Sequence, residues 1–155
     1  MDVFLLRASL PHDDAIAEPH RYLSPEGRRI IRALGNKVRL DDEPNFDLIV
    51  TSPLPTALQT AELFADRVDY VGVVEVFPSL SSRVPPEILV PPLLHRGNTI
   101  AIVADEPVLS SLGAFLIGRP TFPPLLHAQV SVIRDRQPAW CLRPGEVAKS
   151  LLLVA

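Results

Sequence analysis

Short apolar runs alternating with helical patterns constrain this chain more than any single residue does. Val3 to Leu6, Asp47 to Thr51, Val71 to Phe77 and Thr99 to Ala104 are compact stretches rich in apolar, often β-branched residues. Such near-continuous runs suit strands buried on both faces. Helix signals lie between them. Ser24 offers a hydroxyl cap, Pro25 fits the first helical position, Glu26 complements the helix N-terminus, and Ile30, Ile31, Leu34 and Val38 form one apolar face. Ala57 to Val68 repeats Ala57, Ala61, Phe64 and Val68 at helical spacing. Another helix begins near Pro107, with Val108, Leu109, Leu112, Phe115 and Leu116 on one side. Ala128 to Ile133, Ala139 to Leu142 and Ser150 to Val154 read as further strands. The alternation predicts an α/β fold of three layers, a mostly parallel central sheet covered by helices.

The 155 residues, 47% of them hydrophobic, fit one domain, residues 1–155, with a substantial core. Seventeen prolines cluster: Pro85, Pro86, Pro91 and Pro92 bracket Ile88 to Val90 and read as rigid connections, because proline fixes φ and donates no hydrogen bond. A net charge of −3 with scattered basic residues excludes the concentrated cationic face that nucleic acid rewards. No run approaches the roughly 20 apolar residues that span a bilayer, and no leader pattern opens the chain. The single Cys141 makes no internal disulfide and reads as a packed core residue. A soluble cytoplasmic protein without metal or cofactor is the expectation.

In open α/β sheets, ligands bind beyond the carboxyl ends of the strands, where helix N-termini point. Arg7, Ala8 and Ser9 follow the first strand, Ser52 to Thr56 the second, and Ala104 with Asp105 the strand from Thr99. These segments are expected to share one pocket, with Arg7, Ser9, Ser52 and Asp105 as candidate ligand-binding residues. Asp105 is expected either to pair with Arg7 or, with Glu106, to cap the helix that follows. His12, Asp13 and Asp14 form an acidic loop, His20 sits near the pocket entrance, and His95, His127 and the Arg28, Arg29, Arg32 patch read as structural or solvated.

Four segments carry a resemblance. VFLL runs into Arg7, Ala8 and Ser9; RYLSPEG spans Arg21 to Gly27; SPLPTALQTAE spans Ser52 to Glu62; and VADEPVLS spans Val103 to Ser110. In this order they resemble the RHG, RPLTxxG, SPLxRAxQTAE and VGHEPxLS segments of the histidine phosphatase superfamily, whose fold is phosphoglycerate mutase-like. Small phosphohistidine phosphatases of the SixA type are the nearest in pattern. The resemblance implies a mechanism in which the first histidine attacks phosphorus, while two arginines and a second histidine hold the phosphoryl oxygens. It also implies that the catalytic positions here carry Ala8, Thr56 and Asp105, so that Arg7 alone retains its type. The expected function is an inactive binding or scaffolding module for a protein or small-molecule partner. The alternative is an atypical, low-activity phosphatase acting on a phosphoprotein or small phosphate ester.

Overall fold

The computed structural model describes residues 1–12 and 21–155. Asp13, Asp14 and His20 lie outside the described residues. Four strands run parallel: β1 (Asp2–Arg7), β2 (Leu48–Thr51), β3 (Glu75–Val76) and β4 (Thr99–Ala104). Three more, β5 (Val130–Arg134), β6 (Gln137–Leu142) and β7 (Ser150–Leu151), pair antiparallel beyond β1. The order β3-β2-β4-β1-β5-β6-β7 makes one mixed seven-stranded sheet with β4 and β1 at its centre. The helices are α1 (Pro25–Asp42), α2 (Pro55–Arg67), α3 (Pro86–Leu94) and α4 (Val108–Ile117). None is long and apolar enough to cross a membrane, among the described residues.

Strand periodicity assigns the two cores. Successive side chains point to opposite faces, so Phe4, Leu6, Ile49 and Val103 join Ile31, Phe64 and Trp140 beneath α1 and α2. Val3, Leu5, Val50 and Ile102 join Leu89, Leu93, Leu109 and Leu112 beneath α3 and α4. Helices on both faces give the expected three layers. On the first face, Phe4 contacts Phe46 edge-on at 4.9 Å and Trp140 at 5.8 Å between ring centroids. α1 starts as its residues predict: Ser24 accepts from the Gly27 N–H at 2.9 Å and Pro25 opens the first turn.

Three local expectations change. Val71 to Phe77 is not a full strand; only Glu75 and Val76 pair with β2, while Val71 is 100% and Val73 79% exposed. Strand propensity needs a neighbour to bond with, and this segment reaches only the sheet edge. The proline-bracketed piece is not a connection but the helix α3, with Pro91 and Pro92 inside it. Both prolines lie exposed on its outer side, where the carbonyls they leave unpaired can meet water, while Leu89, Val90 and Leu93 face the core. The C-terminal strand is likewise shorter than expected, ending at Leu151.

The loop after β1 is tied to α1. Leu10 accepts at its carbonyl from the Ser24 N–H at 3.0 Å, and Ser9 Oγ donates to the Gly27 carbonyl at 2.8 Å. A Cβ on buried Gly27 would press into the Leu10 carbonyl, a backbone atom that cannot swing aside. Gly27→Ala should therefore lower stability by about 2 kcal/mol in urea denaturation, with the loss centred on the β1–α1 loop in hydrogen exchange.

Candidate functional site

Arg7 sits opposite Ala104 in the parallel register of β1 and β4, so the residues that follow leave the sheet side by side. Arg7 Nε donates to Asp105 Oδ1 at 2.6 Å, and Nη1 donates to the Leu125 carbonyl at 2.9 Å. The expected Arg7–Asp105 pair is therefore present, with side chains 23% and 27% exposed. Asp105 and Glu106 divide the two roles that the sequence allowed. Asp105 Oδ1 also accepts from the Glu106 N–H, whereas Glu106 accepts from the Ser110 N–H in the first turn of α4 and from the Leu125 N–H, each at 2.8 Å. Leu125 is thus clamped at both main-chain atoms.

A cleft of about 310 Å³ opens at these strand ends, lined by Arg7, Ser9, Leu10, Pro11, Arg21, Thr56, Asp105 and His127. Ala8 is 1% exposed; its N–H bonds the Ala104 carbonyl at 3.0 Å. Its own carbonyl accepts from the Ala128 N–H at 3.3 Å and lies 2.9 Å from His127 Nδ1. A carbonyl only accepts, so His127 carries its proton on Nδ1 and keeps Nε2 as an acceptor in the neutral ring. Ser9 lines the cleft, yet its hydroxyl proton is committed to Gly27 and its N–H to Thr60 Oγ1. Thr56 is 5% exposed, and its hydroxyl makes no hydrogen bond among the described residues. It stands in the first turn of α2, which has no side-chain cap.

The structure brings Arg7, Ser9, Thr56 and Asp105 to one cleft but places Ser52 on its far side. Ser52 is buried, its Oγ lacks a partner among the described residues, and it lines a neighbouring groove of about 570 Å³ with Leu54, Leu80, Leu89 and Asp105. His12 is exposed at a bend and His95 ends α3 in solvent. No group of three or more histidine, cysteine, aspartate or glutamate side chains is disposed to hold a metal, among the described residues. Cys141 is buried in the core beneath α3 and α4, and burial pushes its thiol above the ordinary range.

Two polar lining residues were not among the expected site residues. Arg21 opens the RYLSPEG segment, so its place there was a usable signal. His127 had none: it follows an apolar, proline-rich stretch, and only the antiparallel return into β5 carries it to Ala8.

No family model matches the chain, and no curated protein matches it. Solved structures do. The protein histidine phosphatase SixA, complexed with tungstate, superposes with a TM-score of 0.82 at 21% identity, over 93% of this chain and 97% of that one. An Agrobacterium tumefaciens protein described as a phosphohistidine phosphatase SixA gives 0.73 at 16% identity, covering 92% and 98%. A histidine-to-alanine mutant of the Entamoeba histolytica phosphoserine phosphatase, in complex with phosphoserine, gives 0.67 at 16%, covering 89% and 93%. The architecture is therefore that of the histidine phosphatases, the phosphoglycerate mutase-like fold.

The ion pair is only partly screened, so a double-mutant cycle of Arg7→Ala and Asp105→Ala should return a coupling of about 1–2 kcal/mol in urea denaturation. Cys141, being both buried and hard to ionise, should resist iodoacetamide at pH 8 until denaturant unfolds the chain, as followed by intact mass.

Proposed function

We propose that this chain is a ligand-binding module on the histidine phosphatase fold that performs no phosphoryl transfer. The observation that carries the reading is the 2.6 Å bond from Arg7 to Asp105, in a cleft where position 8 presents only a buried methyl group. A covalent route needs a nucleophile, and the Ala8 side chain has no lone pair. Stabilising a transferring phosphoryl group needs fixed positive charge around its oxygens. Here the Arg7 guanidinium is already bonded to a carboxylate, Arg21 stands at the cleft wall, and Thr56 supplies a hydroxyl where the resemblance implies an arginine. A carboxylate about 4 Å from a phosphate charge costs roughly 4 kcal/mol at an effective dielectric of 20. The complex of the Entamoeba mutant with phosphoserine supports the idea that this fold can hold a ligand after a histidine-to-alanine change. The occupant of the module is a protein segment or a small molecule, and its setting is the cytoplasm.

A second reading, an atypical low-activity phosphatase for a phosphoprotein or small phosphate ester, is favoured by His127. Its Nδ1 is anchored on the Ala8 carbonyl, which in the neutral ring leaves the lone pair on Nε2. That reading requires Asp105 to be overcome.

Release of nitrophenol from p-nitrophenyl phosphate separates the two. The natural chain and Ala8→His alone should stay at the buffer blank, because these groups act as a unit. Ala8→His, Thr56→Arg and Asp105→His combined should give measurable turnover. Activity of the natural chain that disappears in both Arg7→Ala and His127→Ala would establish the second reading instead.

A further inference from the structure

We infer that the cleft beside Arg7 is a carboxylate site, built to accept a monoanion and refuse a phosphate monoester dianion. The inference rests on the binding reading above and names its ligand class.

The donors come first. Thr56 is nine-tenths buried, lines the cleft, and has a hydroxyl with no partner among the described residues. That hydroxyl reaches the cleft surface, so it is available to donate to a ligand. Thr56 also belongs to the opening turn of the 13-residue α2, where Pro55 has no N–H and the N-cap residue Leu54 offers no side-chain cap. The partial positive charge at that end favours an anion. Arg7 contributes as well: Nε and Nη1 are engaged, and Nη2 makes no hydrogen bond among the described residues.

The acceptors set the limit. Asp105 and His127 both belong to the lining; a carboxylate only accepts, and His127, with Nδ1 donating to Ala8, has Nε2 as an acceptor whenever its ring is neutral. A phosphoryl group presents three acceptor oxygens in a tetrahedron, so satisfying one from the α2 side turns another towards these acceptors. A carboxylate is planar and carries both oxygens on one edge, with its carbon substituent directed away. Charge acts in the same sense. Asp105 offsets the charge of Arg7 and repels a dianion twice as strongly as a monoanion at the same distance, which opposes the pull of Arg21 at the cleft wall. Specificity here therefore comes from a built-in repulsion as much as from new attraction.

Benzoate and phenyl phosphate test this, because they share a ring and differ in the anionic head. Both are titrated at pH 8 into the full chain, following backbone amides by two-dimensional NMR, with phenol release monitored in the same tubes. Benzoate should shift the amides of Thr56, Ala8 and Ala128 saturably, with Kd at least tenfold below that of phenyl phosphate. Thr56→Val, which keeps shape and removes the hydroxyl, should weaken benzoate at least threefold. Asp105→Asn, which retains an oxygen for Arg7, should tighten phenyl phosphate about tenfold and change benzoate less than threefold; the amide spectrum reports that each variant is folded.

Phenyl phosphate binding as tightly as benzoate without phenol release would overturn the carboxylate assignment and leave the inactive module standing. Phenol release would overturn the inactive module itself. Neither probe shifting the cleft amides at 10 mM would also overturn the assignment.

Discussion

The parallel register of β1 and β4 is the constraint on which the site depends. Arg7 and Ala104 face each other across the two central strands, so a guanidinium and the carboxylate one residue further on must meet at the sheet edge. The bond fixes more than its two partners. Through Nη1 it holds the Leu125 carbonyl, while Glu106 holds the Leu125 N–H, and the chain is thereby aimed into β5. That return brings His127 and Ala128 against the Ala8 carbonyl. A single pair of charges thus organises the cleft wall on three sides, and the same pair removes part of the arginine's capacity to bind anything else.

Much of this was legible in the residues because it depends on local patterns. Ser24, Pro25 and Glu26 specify the start of α1 whatever surrounds them, and the apolar runs of β1 and β4 leave no choice but burial on both faces. The order of chain segments then located the cleft, and the Arg7–Asp105 pair followed from two strands ending together. What could not be read depended on distant partners. Val71 and Val73 have the composition of a strand, but no neighbour reaches them. Pro91 and Pro92 look like breaks, yet a short helix tolerates them when they face solvent. His127 belongs to the cleft only because the antiparallel half of the sheet folds back onto β1. Ser52 was expected beside Arg7 and instead belongs to the groove beyond Asp105.

Asp105 lines both openings, so the fold presents two chemically distinct surfaces separated by one side chain. One is small and polar, with the Thr56 hydroxyl and the first turn of α2 at its wall. The other is larger and walled by Leu54, Leu80, Leu89 and Leu112.

The brevity of β3 bears on how the protein behaves in a crowded solution. An edge strand with many free N–H and C=O groups recruits other chains into the sheet. Here the pairing stops after two residues, and Glu75 is drawn aside by Arg96. The exposed valines just before it therefore offer greasy surface without an ordered hydrogen-bonding template. The edge therefore lacks the long, flat template on which a fibril is built.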